Sequence, residues 1–204
     1  MKIQLAIDRL SIERAKEIAK EAGPYIDIIE VGTALIKDFG MLSVRELKKE
    51  FPDKTVLADT KTIDEGAYEF TSAFKSGADI ATVMGAASMD TLRACYETAK
   101  KFDKNMMIDL LAVEDKKIYI LTEFNDAIFC IHSPSDSREQ TIGSLLKDFK
   151  SKFPGISNIA VAGGVNHETI NTIKEAKVNI VIIGGAITKS ENIKKSAMSF
   201  REML

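Results

Sequence analysis

The chain is 204 residues long, 45% hydrophobic and 28% charged, with a net charge of −2. That length suits one domain with a full core, residues 1–204, and the charge balance offers no basic stripe for tracking nucleic acid. No apolar run approaches the ~18 residues of a membrane span, and Cys95 and Cys130 are too few for a disulfide framework. The N-terminal MKIQLAID leads straight into a strand pattern without a signal-peptide core, so a cytoplasmic location is expected.

In chain order the first predicted strand is Ile3–Ile7. A helix follows on IERAKEIAKEA, capped by Ser11 and stopped by Gly23-Pro24. Strands are predicted next at Ile26–Val31 and Thr55–Ala58, and a helical stretch from Glu65 to Ser76 ends at Gly77. Strand Ile80–Val83 precedes the helix TLRACYETAKKF, for which Ser88 or Asp90 can serve as cap. Strand Met106–Leu110, a helix around Lys116–Glu123 and strand Ala127–Ile131 come next. A polar loop, SPSDSREQ, follows His132. Strand Ile159–Val161, a helix on HETINTIKEA capped by Asn166, and strand Ile180–Ile183 complete the set.

The strands are nearly continuous in apolar residues, as in parallel strands covered on both faces, and their starts recur at βα-unit spacing. Eight such units predict an α/β fold, a (β/α)8 TIM barrel, rather than an open doubly wound sheet. Closure also explains why ionisable residues or glycines end almost every strand: Asp8, Glu30, Asp59 with Lys61, Asp109, His132, Gly163-Gly164 and Gly184-Gly185. A barrel gathers these onto one rim; an open sheet spreads them along an edge.

Asp59 and Lys61 are two apart on an extended segment, which predicts side chains pointing the same way, and Asp64 follows where the chain turns into a helix. Five carboxylates (Asp8, Glu30, Asp59, Asp64 and Asp109) would crowd this rim against one lysine. A cation relieves such crowding, and two carboxylates such as Glu30 and Asp59 suit Mg²⁺, which keeps several waters; ion pairing without metal is the alternative. His132 is the natural proton carrier, whereas His167 reads as surface and Cys130 as a small interior hydrophobe. The glycine pairs after strands 7 and 8 let backbone N–H groups approach an anion where such barrels commonly bind phosphate, with helix N-termini expected to follow.

LADTKTIDEG, IIEVGTALI, MMIDLLAVED and IAVAGGV…VIIGGAIT together resemble the 3-hexulose-6-phosphate synthase family, among the orotidine-monophosphate-decarboxylase-like barrels that share Asp-x-Lys-x-x-Asp. The resemblance implies Mg²⁺-dependent aldol condensation of formaldehyde with D-ribulose 5-phosphate to D-arabino-3-hexulose 6-phosphate. It implies that Glu30 and Asp59 ligate Mg²⁺ with Asp8 beside them, and that Lys61 stabilises the enediolate. Asp64 would orient Lys61 from the partner subunit of a homodimer with shared sites. His132 would transfer the proton, Asp109 would hold substrate or water, and the glycine pairs would bind phosphate. The resemblance also leaves room for a separate 6-phospho-3-hexuloisomerase as a pathway partner, which the sequence itself does not show.

The related 3-keto-L-gulonate-6-phosphate decarboxylases carry Glu where this chain has Asp109, and Arg where it has Ser135 and Gly185. Synthases usually follow the histidine with Asp-x-Gln; here Asp136 fits, Arg138 replaces the Gln, and Gln140 lies two further on. A reading of another class is an inactive sugar-phosphate-binding regulatory barrel, against which the intact set of Asp8, Glu30, Asp59, Lys61, Asp64 and His132 speaks.

Overall fold

The computed structural model describes residues 1–133 and 141–204. Eight parallel strands close in sequence order: β1 (Lys2–Ile7), β2 (Ile28–Val31), β3 (Thr55–Thr62), β4 (Ile80–Met84), β5 (Asn105–Asp109), β6 (Ile128–His132), β7 (Ile159–Ala162) and β8 (Ile180–Ile183). Pairing of Lys2 with Ile180 through Leu5 with Ile183 seals the ring, so the predicted TIM barrel is present and the open sheet is excluded. Ser135, Asp136, Arg138 and Gln140 lie outside the described residues.

Around the strands run α1 (Ile12–Ala22), α2 (Thr33–Phe39), α3 (Met41–Glu50), α4 (Gly66–Lys75), α5 (Met89–Lys101), α6 (Asp115–Leu121), α7 (Ile142–Lys152), α8 (Ile170–Glu175), α9 (Gly185–Thr188) and α10 (Ile193–Met203). Ser11 caps α1 by accepting the Arg14 N–H, and Ser88, not Asp90, caps α5 by accepting from Thr91. Asn166 does not start a helix: its Oδ1 accepts from Glu168 and Thr169 N–H in a local turn, which delays α8 to Ile170.

Two apolar layers hold the barrel. The larger lies between strands and helices and includes Ile3, Leu5, Ile7, Phe70, Leu92 and Phe200, all fully buried. Inside the ring, alternate strands fill successive levels. Ile28, Ile80, Ile128 and Ile180, at the starts of the even strands, plug the N-terminal end, and Leu57, Met107 and Ala160 pack above them. Burying one such aliphatic side chain contributes about 1.5–3 kcal/mol, so the plug is a rigid floor.

The N-terminal end is tied by a recurring device. Asp27, Asp79 and Asn179 stand just before β2, β4 and β8, and each accepts a backbone N–H from the first or second residue of the preceding strand, Ile3 (2.7 Å), Val56 (3.0 Å) and Ile159 (3.0 Å). Asp27 also binds Arg201 at 2.5 Å, and Asp79 binds Lys48 at 2.9 Å and Lys104 at 2.7 Å.

Candidate active site

Above the floor, the C-terminal strand ends surround a cavity of about 580 Å³. It is lined by Asp8, Glu30, Asp59, Lys61, Asp109, His132, Gly163, Gly164, Gly184 and Gly185, so ten of the eleven residues singled out in the sequence come together. Asp64 is the exception. It is exposed, and its Oδ1 accepts the Glu65 N–H outside the cavity.

Asp59 and Lys61 converge by a different route from the one strand alternation predicts. Ala58 pairs with Ala81 and Thr62 with Val83, so Asp59, Thr60 and Lys61 bulge opposite the single residue Thr82. Lys61 adopts a left-handed backbone, φ 46°, a conformation that costs a non-glycine residue about 1–3 kcal/mol. The bulge returns its ammonium to within 2.8 and 3.0 Å of the two Asp59 oxygens and 3.0 Å of Asp109 Oδ2. The same Asp109 oxygen lies 3.0 Å from His132 Nδ1, and Asp109 Oδ1 accepts the Leu111 N–H. The result is a continuous row of Asp59, Lys61, Asp109 and His132, with Nε2 left as the histidine nitrogen for a substrate proton.

Burial sets the protonation pattern of this row. It would raise the Asp109 pKa, but the His132 hydrogen bond and the nearby His132 and Lys61 charges outweigh it and hold the group at about 2. Burial would also lower Lys61, yet Asp59 and Asp109 keep its ammonium charged well above the usual lysine range. Glu30 goes the other way: burial first, and the Asp59 carboxylate second, push it up to about 8 against the opposing Gln4 hydrogen bond. Burial drives the Cys130 thiol far up, consistent with its place among the interior apolar residues. His167 is exposed, as expected, and bonds Ser199.

Several residues that support the site were not singled out in the sequence. Gln4 is fully buried and donates from Nε2 to Glu30 Oε2 at 2.6 Å, while its Oε1 has no partner among the described residues. Thr33 donates to Asp59 Oδ2 at 2.7 Å, and Thr82 donates to Asp59 Oδ1 at 2.8 Å. Asp8 accepts the Ala34 N–H at the start of α2, directly over Gly32, where a Cβ would come within 2.3 Å of its carboxylate. Two signals were legible: Gln4 and Thr82 are polar residues inside otherwise apolar strands.

Across the cavity, Gly163 and Gly164 both take left-handed backbones, φ 82° and 68°. A Cβ on Gly163 would meet the Ser133 carbonyl oxygen at 2.1 Å, whereas Gly164 faces open space and Gly185 meets only the Lys189 side chain, at 3.6 Å. The expected helix N-terminus is present at Gly184-Gly185, where the short α9 begins at Gly185, but the expectation is corrected after Gly163-Gly164. Five residues separate Gly164 from Ile170, because the Asn166 turn intervenes, and α9 is one four-residue turn. Consecutive positive-φ residues such as Gly163 and Gly164 in the cavity lining can form a concave nest of backbone amides, an arrangement that suits an anion.

Glu30 and Asp59 both line the cavity and are side chains that could hold a divalent ion. Among the described residues no three His, Cys, Asp or Glu groups converge as a ligand set, so any such ion would keep several waters, the habit of Mg²⁺. The donor chemistry fits: Glu30 is driven toward neutrality by burial and Asp59, a condition that a cation between them would relieve.

Residues 1–200 match the Orotidine 5'-phosphate decarboxylase / HUMPS family. The chain belongs to that family. It is 35% identical to the 3-hexulose-6-phosphate synthase of Staphylococcus haemolyticus, with 100% of this chain and 99% of that protein covered. A crystal structure of a 3-hexulose-6-phosphate synthase superposes with a TM-score of 0.92 at 34% identity, covering 100% of both chains. A 3-keto-L-gulonate-6-phosphate decarboxylase from Vibrio cholerae gives 0.88 at 26% identity, covering 99% and 96%. The protein is an enzyme of lyase type, similar throughout to 3-hexulose-6-phosphate synthases. No helix among the described residues is long and apolar enough to cross a membrane.

Proposed function

We propose that this enzyme condenses formaldehyde with D-ribulose 5-phosphate to give D-arabino-3-hexulose 6-phosphate, and catalyses the reverse cleavage. The observation that carries the reading is the Lys61 ammonium, wedged between Asp59 and Asp109 beside His132 and facing a glycine cradle across the same cavity.

In this reading the amides of Gly163, Gly164, Gly184 and Gly185 anchor the phosphate. His132, oriented by Asp109, takes the proton from C1 of the sugar through Nε2. The electron pair left behind moves onto the C2 carbonyl oxygen, giving a 1,2-enediolate against the fixed charge of Lys61. C1 then attacks formaldehyde, and His132 returns the proton to the new alkoxide oxygen. Asp8 stays near the acceptor side, where α2 holds it. Glu30 and Asp59 would hold Mg²⁺, which when bound supplies further positive charge to the substrate oxygens.

A homodimer with shared sites belongs to the same reading. Asp64 is flanked by Ile63 and Tyr68, which are 56% and 71% exposed, an apolar setting that suits contact with a second copy. Asp64 would then reach Lys61 of the other subunit.

Two assays run side by side test the chemistry: formaldehyde consumption with ribulose 5-phosphate, and CO₂ release from 3-keto-L-gulonate 6-phosphate. Asp109 and Gly185, which differ from the decarboxylase pattern, favour the first. CO₂ release alone would reverse the assignment, and turnover in neither would favour the regulatory barrel.

A further inference from the structure

The bulge in β3 places three consecutive residues opposite Thr82, and Thr82 binds all three. Its hydroxyl accepts the Lys61 N–H at 2.9 Å and donates to Asp59 Oδ1 at 2.8 Å. Its carbonyl accepts the Thr60 hydroxyl at 2.7 Å. In a regular ladder backbone groups would make these bonds; here the register breaks and one side chain takes their place. Thr82 is buried, 3% exposed, so water does not compete readily for these bonds.

The hydroxyl has one proton, and that proton goes to Asp59, so its oxygen is left to accept from Lys61. This fixes two things together: the rotamer of the Asp59 carboxylate and the left-handed turn that sends the Lys61 ammonium back over it. Neither residue reaches this geometry by strand alternation alone.

We infer that Thr82 is a positioning residue that couples Asp59 to Lys61 through one hydroxyl. The inference rests on the proposed function for what the pair does, but the geometry it explains is independent of the substrate. Loss of the hydroxyl strands the Lys61 N–H and leaves Asp59 Oδ1 held by the Lys61 ammonium alone, while the phosphate cradle on the other side of the cavity is untouched.

Thr82→Val, near-isosteric without the hydroxyl, is compared with Thr82→Ser, which keeps it. The readouts are Mn²⁺ affinity of the substrate-free protein by titration calorimetry, and kcat and KM for ribulose 5-phosphate. For Thr82→Val the expected result is a loss of roughly 10–100-fold in Mn²⁺ affinity and kcat, the range for removing a group that orients a ligand. KM should stay within about twofold, and Thr82→Ser should remain within about threefold of wild type throughout. Equal impairment of both variants would assign the effect to packing of the methyl group and overturn the inference, as would a folded Thr82→Val with wild-type Mn²⁺ affinity and kcat. Should Thr82→Val fail to fold, Thr82→Ala against Thr82→Ser makes the same comparison, and equal behaviour of that pair overturns it too. If the wild type lacked formaldehyde activity, the functional reading would fail, and the Mn²⁺ titrations would still decide the role of Thr82.

Discussion

At the N-terminal end of the barrel, Asp27 and Asp79 each meet a strand N–H and one or two cations, and burial is outweighed so that both carboxyls titrate below their usual range. At the C-terminal end, Asp8, Glu30, Asp59 and Asp109 share the cavity with Arg9, Lys61 and Lys189, yet Glu30, bonded to the neutral Gln4, is pushed up to about 8. The same residue type meets a cation directly at one end, while at the other, among the described residues, Glu30 has none in contact. A carboxylate in contact with a cation fastens a strand start, whereas a buried one without that contact holds a capacity to bind something positive. The difference separates the part of the molecule that keeps the fold from the part that does chemistry.

The largest break in that comparison should come from Lys61. Lys61→Ala is expected to lower kcat/KM by about 10³ or more, since fixed charge at a developing oxyanion is worth 10²–10³ and Asp59 and Asp109 lose their shared partner as well. Asp64→Ala should be impaired too. Mixing the two variants under conditions of subunit exchange should restore activity to about a quarter of wild type under random pairing, because one site of each mixed dimer is intact. Absence of recovery despite demonstrated exchange would place both residues in one chain's site.

Next in size is the glycine cradle. Gly185→Val has room for its Cβ against Lys189, so the fold should survive while KM for ribulose 5-phosphate rises roughly 10–100-fold through crowded amides. Gly163→Ala, whose Cβ would strike the Ser133 carbonyl, should instead lose stability. Normal phosphate binding by a folded Gly185→Val would move the anion site elsewhere.

At the opposite end, Asp79→Ala should cost about 1–3 kcal/mol of stability, the scale of a hydrogen-bonded charge removed, while kcat well below the melting temperature stays within about twofold. Thermal melts beside activity assays separate the two effects. A large loss of kcat in the folded variant would undo the division between ends.

The smallest effect has opposite pH signatures at the two ends. The Asp79 pKa is lowered by folding, so its contribution is present above the unfolded value and is lost as pH falls into the acid range. Glu30 is raised to about 8, so its favourable contribution is present below the unfolded carboxylate value and is lost as pH rises toward 8. In metal-free protein, Glu30→Gln should therefore gain stability relative to wild type progressively as pH rises from about 5 to 8. Melting curves across that range check it, and a constant difference would show that Glu30 ionises without penalty.

Much of this was legible in the sequence because apolar strand runs and rim residues follow from period and spacing. Asp8, Glu30, Asp109 and His132 each end a strand, and closure alone brings strand ends together. The Asp59–Lys61 pairing was foreseen but for another reason, since a bulge has no period and shows only in the register with Val83. Gln4, Thr33 and Thr82 act through contacts 21 or more residues away in sequence, so the polarity of Gln4 and Thr82 inside apolar strands was visible but their partners were not. The delayed start of α8 is a competition between two local structures, an Asn166 turn and a helix cap, that use the same side chain.

The central claim is that the C-terminal end of the barrel forms a carbon–carbon bond at C1 of ribulose 5-phosphate. Its most direct test is ¹³C NMR of the product formed from ¹³C-formaldehyde and ribulose 5-phosphate with Mg²⁺ present. The account predicts label at C1 of a 3-hexulose 6-phosphate, lost on exhaustive chelation and regained when Mg²⁺ is restored. Formaldehyde left unincorporated by folded, Mg²⁺-supplied enzyme would contradict it.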